Sequence, residues 1–407
     1  MPGGAIAARP DSSRAPETHA IEPMALHILI DARRAKDFGI GTYIRGLVRG
    51  LGLIDSTNCY TLVASPEEGR ALGELPPNFH LAAYTRPDDS PWDNLLFPMF
   101  VRRLKPDLVH VPLNRVPLWM PQPYVVTIHD MANLLFESEH SHVRLSLRRW
   151  RFRRGLARAS FLIAVSDATR RDVESTVDVP PGRIRRIYNA PDPEFAAGAA
   201  SPSTEHNGRV LERYQVNYPY LLYAGNIRVH KNIPRLVEAF AVLREQLSGH
   251  PEYRDLHLIL IGDTIARNAA VRQAVFRSRI SHLVRFLGFV PSDTLRCFYQ
   301  SAAAFVFPSR YEGFGLPPLE AMACGTPVVA SNVSSLPEVL GDAAMLVNPE
   351  NVFDIARGIR DVLVDPSMRC ALVQKGFAQV ARFSWRDTAR QVLEIYREVA
   401  AHEHRVH

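Results

Sequence analysis

Two carboxylates and a glycine turn lie close together in one short segment of the chain, residues 309–325. Glu312 comes directly before the turn Gly313-Phe314-Gly315, and Glu320 follows Glu312 by eight positions. Ionised carboxylates accept hydrogen bonds from hydroxyl groups. The pair therefore suits a ligand that presents hydroxyls at two places, such as a sugar at one end and a ribose at the other.

A helix is predicted directly after this turn, and its first residues suit an anion. Pro317 and Pro318 fit the first helical turn, where the N–H that proline lacks has no partner, and Gly325 fits the helix end. The backbone N–H groups of Gly315 and Leu316 would then point out of the helix N-terminus, a position that attracts phosphate. The alternative is two glutamates without a role, but the glycine turn and the proline pair favour the functional interpretation.

Two cations follow another predicted strand, in residues 224–232 with the sequence AGNIRVHKN. Gly225 at the strand end permits close approach of a ligand to the backbone, and Arg228 and Lys231 put two positive charges beside it. The sequence contains no Asp-x-Asp motif to hold a divalent metal. We therefore expect fixed cations and helix-end amides to balance the charge of a diphosphate, with no metal or cofactor required. A solvated basic turn is the alternative.

Gly39 and Gly41 follow the first predicted strand and precede the first predicted helix. Ile44 occupies the third glycine position of a G-x-G-x-x-G fingerprint, which argues against a site for a nicotinamide dinucleotide. A simple turn is the alternative here. Polar residues also follow three later strands of the same half of the chain, namely His129 with Asp130, Ser166 and Asn189.

Short apolar runs alternate with helical patterns along the whole chain, which predicts parallel sheets covered by helices on both faces. The strand-like runs are LHILID, YTLVA, FHLAAY, DLVHV, YVVTI, FLIAV and RIRRIY, then YLLYAG, LHLILIG, VRFLG, AFVFP, PVVAS and AMLV. The two groups are separated near residue 200, so we predict two doubly wound domains that face each other. Ligands of such sheets bind at the carboxyl ends of the strands, and the cleft between the domains is the expected site.

The composition describes a globular protein with anionic partners. The chain has 407 residues, 46% hydrophobic and 22% charged, with a net charge of +6, and it contains no uninterrupted apolar stretch long enough to span a membrane. Its four cysteines are scattered without metal-site spacing, which indicates a reducing cytoplasm. No recognition motif for nucleic acid is present. Residues 1–24 are predicted to form a disordered extension.

Residues 144–158 form a predicted helix that is rich in arginine. At helical spacing Leu145, Phe152 and Leu156 share one face, which we assign to the core, whereas Leu147 and Trp150 lie elsewhere among the arginines. Two interpretations remain open: a contact with an anionic membrane surface, and a solvated basic helix. The arginines are Arg144, Arg148, Arg149, Arg151, Arg153, Arg154 and Arg158.

The segment SRYEGFGLPPLEAMACG resembles the E-x7-E signature of the retaining, nucleotide-sugar-dependent glycosyltransferases of family 4, and the resemblance extends from about Leu26 onward. It implies the α/β GT-B fold: an acceptor-binding domain at 25–200, a nucleotide-sugar-binding domain at 201–384, and a last helix at 385–407 that packs back on the first domain.

The resemblance also implies roles for the residues singled out above. Glu312 would hold sugar hydroxyls, the amides of Gly313, Phe314, Gly315 and Leu316 would surround the diphosphate, and Glu320 would bind the ribose. Lys231 with Arg228 or His230 would neutralise the leaving group beside Gly225. His129 would contact the sugar from the other domain, and Gly39 and Gly41 would pack against the donor phosphates.

The expected activity is transfer of a hexose from a nucleotide diphosphate donor to a glycan or lipid-linked acceptor of surface polysaccharide synthesis. The resemblance favours GDP-mannose as the donor, and the cytoplasm or the inner face of the cell membrane as the location. A nucleotide-sugar epimerase of the same fold and a non-catalytic scaffold subunit are the alternatives.

Overall fold

The computed structural model describes residues 25–88, 90–113, 115–136, 142–195, 204–262 and 268–406. The predicted extension at 1–24 lies outside the described residues, as does the predicted domain boundary, which falls within residues 196–203. All thirteen predicted strands are confirmed, each within a residue or two of its apolar run.

The first half of the described chain forms a parallel sheet of seven strands in the order β3-β2-β1-β4-β5-β6-β7. The residues of its inner strands are almost all buried, because helices cover both faces of the sheet, whereas most residues of the edge strands β3 and β7 are not. The strands are β1 (His27–Asp31), β2 (Cys59–Ala64), β3 (Phe79–Ala83), β4 (Leu108–Val111), β5 (Tyr124–Ile128), β6 (Phe161–Ala164) and β7 (Ile184–Arg186).

The second half forms a parallel sheet whose six described strands follow the order β10-β9-β8-β11-β12-β13. In both sheets the order in which successive strands are added reverses beside the first strand, between β1 and β4 and between β8 and β11. This is the doubly wound arrangement. The strands are β8 (Tyr220–Ala224), β9 (His257–Ile261), β10 (Val284–Gly288), β11 (Ala304–Phe307), β12 (Val328–Ser331) and β13 (Ala344–Val347).

Helices connect the strands and cover the sheets, and several of them begin at side-chain caps such as Ser65, Ser166, Asn351 and Asp365. Those of the first domain are α1 (Ile40–Ile54), α2 (Pro66–Ala71), α3 (Asp93–Leu104), α4 (Ala132–Leu135), α5 (His142–Arg158) and α6 (Asp167–Thr176). Those of the second are α7 (Thr204–Arg213), α8 (Ile233–Gln246), α9 (Ala269–Arg277), α10 (Ser292–Ser301), α11 (Leu316–Ala323), α12 (Leu336–Leu340), α13 (Val352–Val364) and α14 (Pro366–Val380).

The last helix, α15 (Trp385–Val406), returns to the first domain as predicted. Its apolar residues belong to the hydrophobic core of that domain, with Trp385 and Tyr396 among them. Gly46 and Gly50 of α1 leave room for this contact, because a Cβ at position 46 would overlap the ring of Trp385. α15 follows the second domain in the sequence but is therefore packed as part of the first domain.

Candidate functional site

A cleft of about 1250 Å³ separates the two domains at the carboxyl ends of their strands. All predicted site residues except Gly41 line it, namely Gly39, His129, Gly225, Arg228, Lys231, Glu312, Gly313, Phe314, Gly315, Leu316 and Glu320. The loops after β8 and β11 carry most of them, and these strands are neighbours in the sheet at the point where its order reverses. Residues about 80 positions apart are thus brought together at the usual ligand position of such sheets.

The turn after β11 has the backbone geometry that the sequence predicted. Gly315 caps α11 with φ +105°, a left-handed conformation that favours glycine, and the two prolines stand in the first helical turn. Among the described residues the N–H groups of Gly315 and Leu316 have no backbone partner. The side chains of Phe314 and Leu316 are buried in the core, so only their backbone is offered to a ligand.

Two serines that the sequence analysis missed hold this turn in place. Ser334 Oγ donates to the carbonyl oxygen of Glu312 at 2.6 Å, and Ser335 Oγ contacts the carbonyl oxygens of Glu312 and Phe314 at 2.9 and 3.0 Å. Both follow β12, which neighbours β11, so their position after a strand end was the signal that could have identified them. They fix the direction in which the Glu312 side chain leaves the backbone.

Lys231 and Glu312 form an ion pair inside the cleft. The ammonium Nζ lies 2.7 Å from Oε1 and 2.8 Å from Oε2 of the carboxylate, and both side chains are largely buried. Asn232, with φ +60°, ends the short helical turn that carries Lys231, and its Nδ2 donates to the carbonyl oxygens of Pro308 and Pro349. The pair is therefore held rigidly on both sides.

The other basic residues of this loop differ in burial. Arg228 is exposed and lines the cleft, whereas His230 is buried. Burial, assisted by the positive charge of Lys231, lowers the pKa of His230 to about 4. His230 is accordingly neutral at pH 7 and adds no positive charge to the site.

Glu320 occupies a different environment from Glu312. Its Oε2 accepts a hydrogen bond from Tyr299 Oη at 3.3 Å. Burial of the carboxyl group and the nearby negative charge of Asp192 raise the pKa of Glu320 to about 7. Its charge therefore changes in the neutral pH range.

His129 faces these groups from the first domain, directly after β5. Its Nε2 donates to the carbonyl oxygen of Pro112 at 3.1 Å, and Tyr43 packs edge-on against its ring. Burial lowers the pKa of His129 to about 4, so the imidazole is neutral. With the proton on Nε2, Nδ1 is the acceptor nitrogen of the ring.

The domains meet at the same place, backbone against backbone. A Cβ at position 313 would overlap the carbonyl oxygen of His129, so only glycine permits this approach. Thr169 of α6 donates to the carbonyl oxygen of Gly313 at 3.1 Å. Tyr311 donates to Asp172 at 2.7 Å and accepts from the Met131 N–H at 3.0 Å. These contacts bring His129 and Glu312 to opposite sides of one junction.

The two glycines near the first helix have separate positions. Gly39, with φ +69°, lines the cleft at the start of α1. Gly41 lies outside the cleft lining, and a Cβ there would press on the carbonyl oxygen of Ala35. Its hydrogen serves close packing of α1 on the preceding loop.

The other residues predicted at strand ends have local partners or none. Ser166 caps α6, its Oγ accepting from the Thr169 N–H at 3.0 Å. Asn189 lines the cleft with a buried Oδ1 that accepts no hydrogen bond among the described residues. Asp130 Oδ1 accepts from the Ala132 N–H at 3.0 Å.

The arginine-rich helix α5 divides into two faces. Leu147 and Trp150 are 47% and 51% exposed, as predicted, and Leu156 is buried in the core. Phe152 packs against the core as predicted and also borders the cleft, which Arg148 and Arg151 line beside it. The side chains of Arg144 and Leu145 lie outside the described residues.

Two classes of site are not seen in the part of the chain that the structure describes. No helix there has the length and apolar character needed to cross a membrane. No group of three or more His, Cys, Asp or Glu side chains is arranged there to hold a metal ion.

Known proteins resemble the chain in sequence and in fold. A family profile described as glycosyl transferases group 1 matches residues 212–379, and one described as glycosyltransferase family 4 matches residues 39–195. The O-antigen chain mannosyltransferase B of Escherichia coli is 34% identical over 275 residues, which cover 67% of this chain and 70% of that protein. The serotype-specific mannosyltransferase WbdA of Escherichia coli is 34% identical over 238 residues, covering 58% of this chain but only 28% of that protein. Anabaena Alr3699/HepE, solved in complex with UDP-glucose, has the same fold, with a TM-score of 0.71 and 19% identity over 91% of this chain and 99% of that one.

Proposed function

Because the chain belongs to the group 1 glycosyltransferases, we propose that it transfers a hexose from a nucleotide diphosphate sugar to an acceptor hydroxyl, with retention at the anomeric carbon. Its two domains form the GT-B fold of this enzyme family. The observation that carries the proposal is the Lys231–Glu312 pair beside the α11 N-terminus, with His129 on the facing domain. A cation, unpartnered amides and hydroxyl acceptors suit the three parts of such a donor.

The reaction divides between the two domains. The bond from the anomeric carbon to the diphosphate oxygen breaks, and a bond from the acceptor oxygen to that carbon forms on the same face. The proton of the acceptor hydroxyl passes to the departing phosphate oxygen. Lys231, Arg228 and the amides of Gly313 to Leu316 stabilise the charge that develops on the diphosphate. Arg228 is preferred over His230 as the second cation, because the buried imidazole is neutral.

The hydroxyl contacts position the donor for this step. Glu312, held by Lys231, accepts hydrogen bonds from the transferred sugar, and neutral His129 contacts the sugar from the other side. Glu320 binds the ribose. The close junction at Gly313 excludes water from the reacting carbon, which suppresses hydrolysis.

We propose mannose as the sugar, GDP-mannose as the donor, and a glycan or lipid-linked acceptor of a surface polysaccharide. The names of the two Escherichia coli relatives support mannose, whereas HepE was solved with UDP-glucose. We propose a location in the cytoplasm, with a peripheral contact to the anionic inner face of the cell membrane. The outward face of α5, with Leu147 and Trp150 exposed among arginines, supports this contact. We further propose that no metal is needed, because fixed cations and amides suffice.

A thermal-shift panel of GDP, UDP and dTDP sugars tests the donor, since each ligand stabilises the protein according to the ratio of its concentration to its Kd. We expect GDP-mannose to give the largest shift, and the shift to survive chelation of divalent metals. Glu312→Gln should keep nucleotide binding and lose about a hundredfold in transfer, because the sugar loses a charged acceptor.

The matched control is Glu350→Gln, an exposed glutamate paired with Arg235 outside the cleft lining. Transfer by Glu312→Gln at the rate of this control would contradict the proposal. If the chain isomerised the donor sugar in the absence of an acceptor, the proposed transferase activity would be wrong and the epimerase alternative would be supported.

A further inference from the structure

Besides Arg34, three arginines line the wall of the cleft that the first domain provides. Arg148 and Arg151 are one helical turn apart on α5, and Arg115 belongs to the segment between β4 and β5. The two regions are in contact, because a Cβ on Gly155 of α5 would touch Val116. The arginines thus form one basic surface that faces into the cleft, away from exposed Trp150.

Arg151 is the most unusual member of this surface. Its Nε is buried and makes no hydrogen bond among the described residues. A buried donor without a partner is costly, and in native structures such groups commonly mark a place for a ligand, an ion or water. Arg115 is exposed, and the hydrogen bond that the structure shows for it goes to the backbone carbonyl of Asp88.

Three of the carboxylates that line the same wall form ion pairs with other arginines. Asp88 and Asp37 both pair with Arg34, at 2.7 and 2.9 Å, and Asp93 pairs with buried Arg33 at 2.7 Å. Asp130 is the remaining carboxylate there, and it accepts from a backbone N–H. Among the described residues of this wall, Arg115, Arg148 and Arg151 outnumber the remaining carboxylate, and their guanidinium groups suit an anion.

This surface is distinct from the donor site. The diphosphate site of the proposed function belongs to the second domain and has its own cations, Arg228 and Lys231. α5 instead adjoins α4, since Arg149 donates to the carbonyl oxygen of Leu134, and α4 begins three residues after His129. An anion bound by α5 would therefore lie on the side of the sugar opposite the donor diphosphate.

We infer that the acceptor carries a phosphate or diphosphate group, which Arg115, Arg148 and Arg151 bind while the acceptor hydroxyl faces the donor sugar. This inference rests on the proposed function and assigns the chemical class of the second substrate. Guanidinium groups suit it, because their paired N–H donors match the oxygens of phosphate.

Calorimetric binding of three probes to the full chain, with GDP present, tests the inference. The probes are methyl α-mannoside, mannose 6-phosphate and farnesyl diphosphate. We expect the charged probes to bind at least about tenfold more tightly than the neutral one, and Arg151→Gln to remove about tenfold of their affinity. Arg115→Gln, an exposed position that will not disturb folding, should act in the same direction. The matched control is Arg153→Gln, because Arg153 is an exposed residue of α5 outside the cleft lining.

Three outcomes would overturn the inference: equal binding of charged and neutral probes, an equal loss in Arg153→Gln, or a parallel loss of nucleotide-sugar affinity in Arg151→Gln. The first would exclude an anion site, the second would indicate a general charge effect, and the third would assign the arginines to the donor. Stronger binding of mannose 6-phosphate would indicate a free sugar phosphate, and stronger binding of farnesyl diphosphate a lipid-linked acceptor. The proposed function fails separately, if no nucleotide sugar stabilises the chain.

Discussion

Burial gives the ionisable residues of the cleft different protonation states. Glu312 is held in an ion pair with Lys231, whereas Glu320 shares a hydrogen bond with a tyrosine and has a pKa raised to about 7. His129 and His230 are both neutral, because burial lowers the pKa of each to about 4. The positive charge of the donor site therefore comes from Lys231 and Arg228.

The raised pKa of Glu320 makes donor affinity depend on pH. A carboxylate accepts hydrogen bonds from both hydroxyls of a ribose, and below its pKa the protonated group loses part of this capacity. We expect affinity for the nucleotide sugar to fall as pH decreases below about 7, by at most about tenfold per pH unit. Titration calorimetry between about pH 6 and pH 8 measures this change.

Glu320→Gln is the informative variant, because glutamine has a similar shape and does not ionise. It should bind the donor more weakly at about pH 8 and show a nearly flat pH profile. An unchanged slope in this variant would assign the titration to another group. A nucleotide sugar is the right ligand, because a free nucleoside diphosphate has a phosphate ionisation of its own in this range.

At the scale of elements, two loops from adjacent strands must keep their shape for the site to exist. The loop after β11 is held by Ser334 and Ser335, and the loop after β8 by Asn232. The first loop also contacts α6, because Thr169 donates to the carbonyl oxygen of Gly313. The first N–H groups of α6, at Asp167 and Ala168, donate to the carboxylate of Glu338 in α12. The loop geometry and the domain junction are thus parts of one contact network.

Gly313→Ala tests this junction. The added methyl group would overlap the His129 carbonyl oxygen, so the domains must separate by more than a bond length or the loop must move. We expect kcat/KM for transfer to fall by about a hundredfold or more, because misplacement of about 1 Å is enough to disrupt the reacting geometry.

The matched control is Gly249→Ala, since a Cβ there meets no atom within 4 Å. Wild-type kinetics in Gly313→Ala would show that the junction does not form during turnover.

At the level of the whole molecule, a chain of contacts connects the last helix, α15, to the site. Tyr396 of α15 contacts His110 Nδ1 at 2.5 Å, His110 Nε2 contacts Thr127 Oγ1 at 2.8 Å, and Thr127 contacts Tyr43 Oη at 2.9 Å. Tyr43 then packs against the ring of His129. The support of this sugar-facing histidine therefore includes the last helix of the chain.

Buried neutral histidines make the folded chain sensitive to acid. Burial lowers the pKa of His110 to about 3 and that of His230 to about 4, whereas both would titrate near about 6.5 in the unfolded chain. The unfolded state therefore binds more protons below about pH 6.5, and stability falls with decreasing pH. We expect each residue to cost up to about 2 kcal/mol of unfolding free energy at about pH 5, measured by urea unfolding.

His110→Gln and His230→Gln should each lose less stability than the wild type between about pH 7 and pH 5, and exposed His80→Gln should match the wild type. Glu320 acts in the opposite direction, because its raised pKa favours the folded state as pH falls, and this contribution is common to all three variants. The same acid loss in all three would refute the assignment to buried histidines.

Patterns in the sequence were enough to predict the helices and strands and one half of the site. Apolar runs predicted the strands, because a strand buried on both faces must be apolar throughout, and the turn before α11 followed from glycine and proline conformation. The conformation of a strand or a turn depends mainly on residues that are adjacent in the sequence, so it can be predicted from them.

Which distant residues meet depends on tertiary packing. The Lys231–Glu312 pair, the serines that hold the turn, and the contact of Gly313 with His129 depend on the order of strands in two sheets and on how closely the domains approach. The division of the α5 arginines into a cleft face and an outer face has the same origin. Helical periodicity places residues on faces, but the packing of a helix against its neighbours decides which face is open to the cleft.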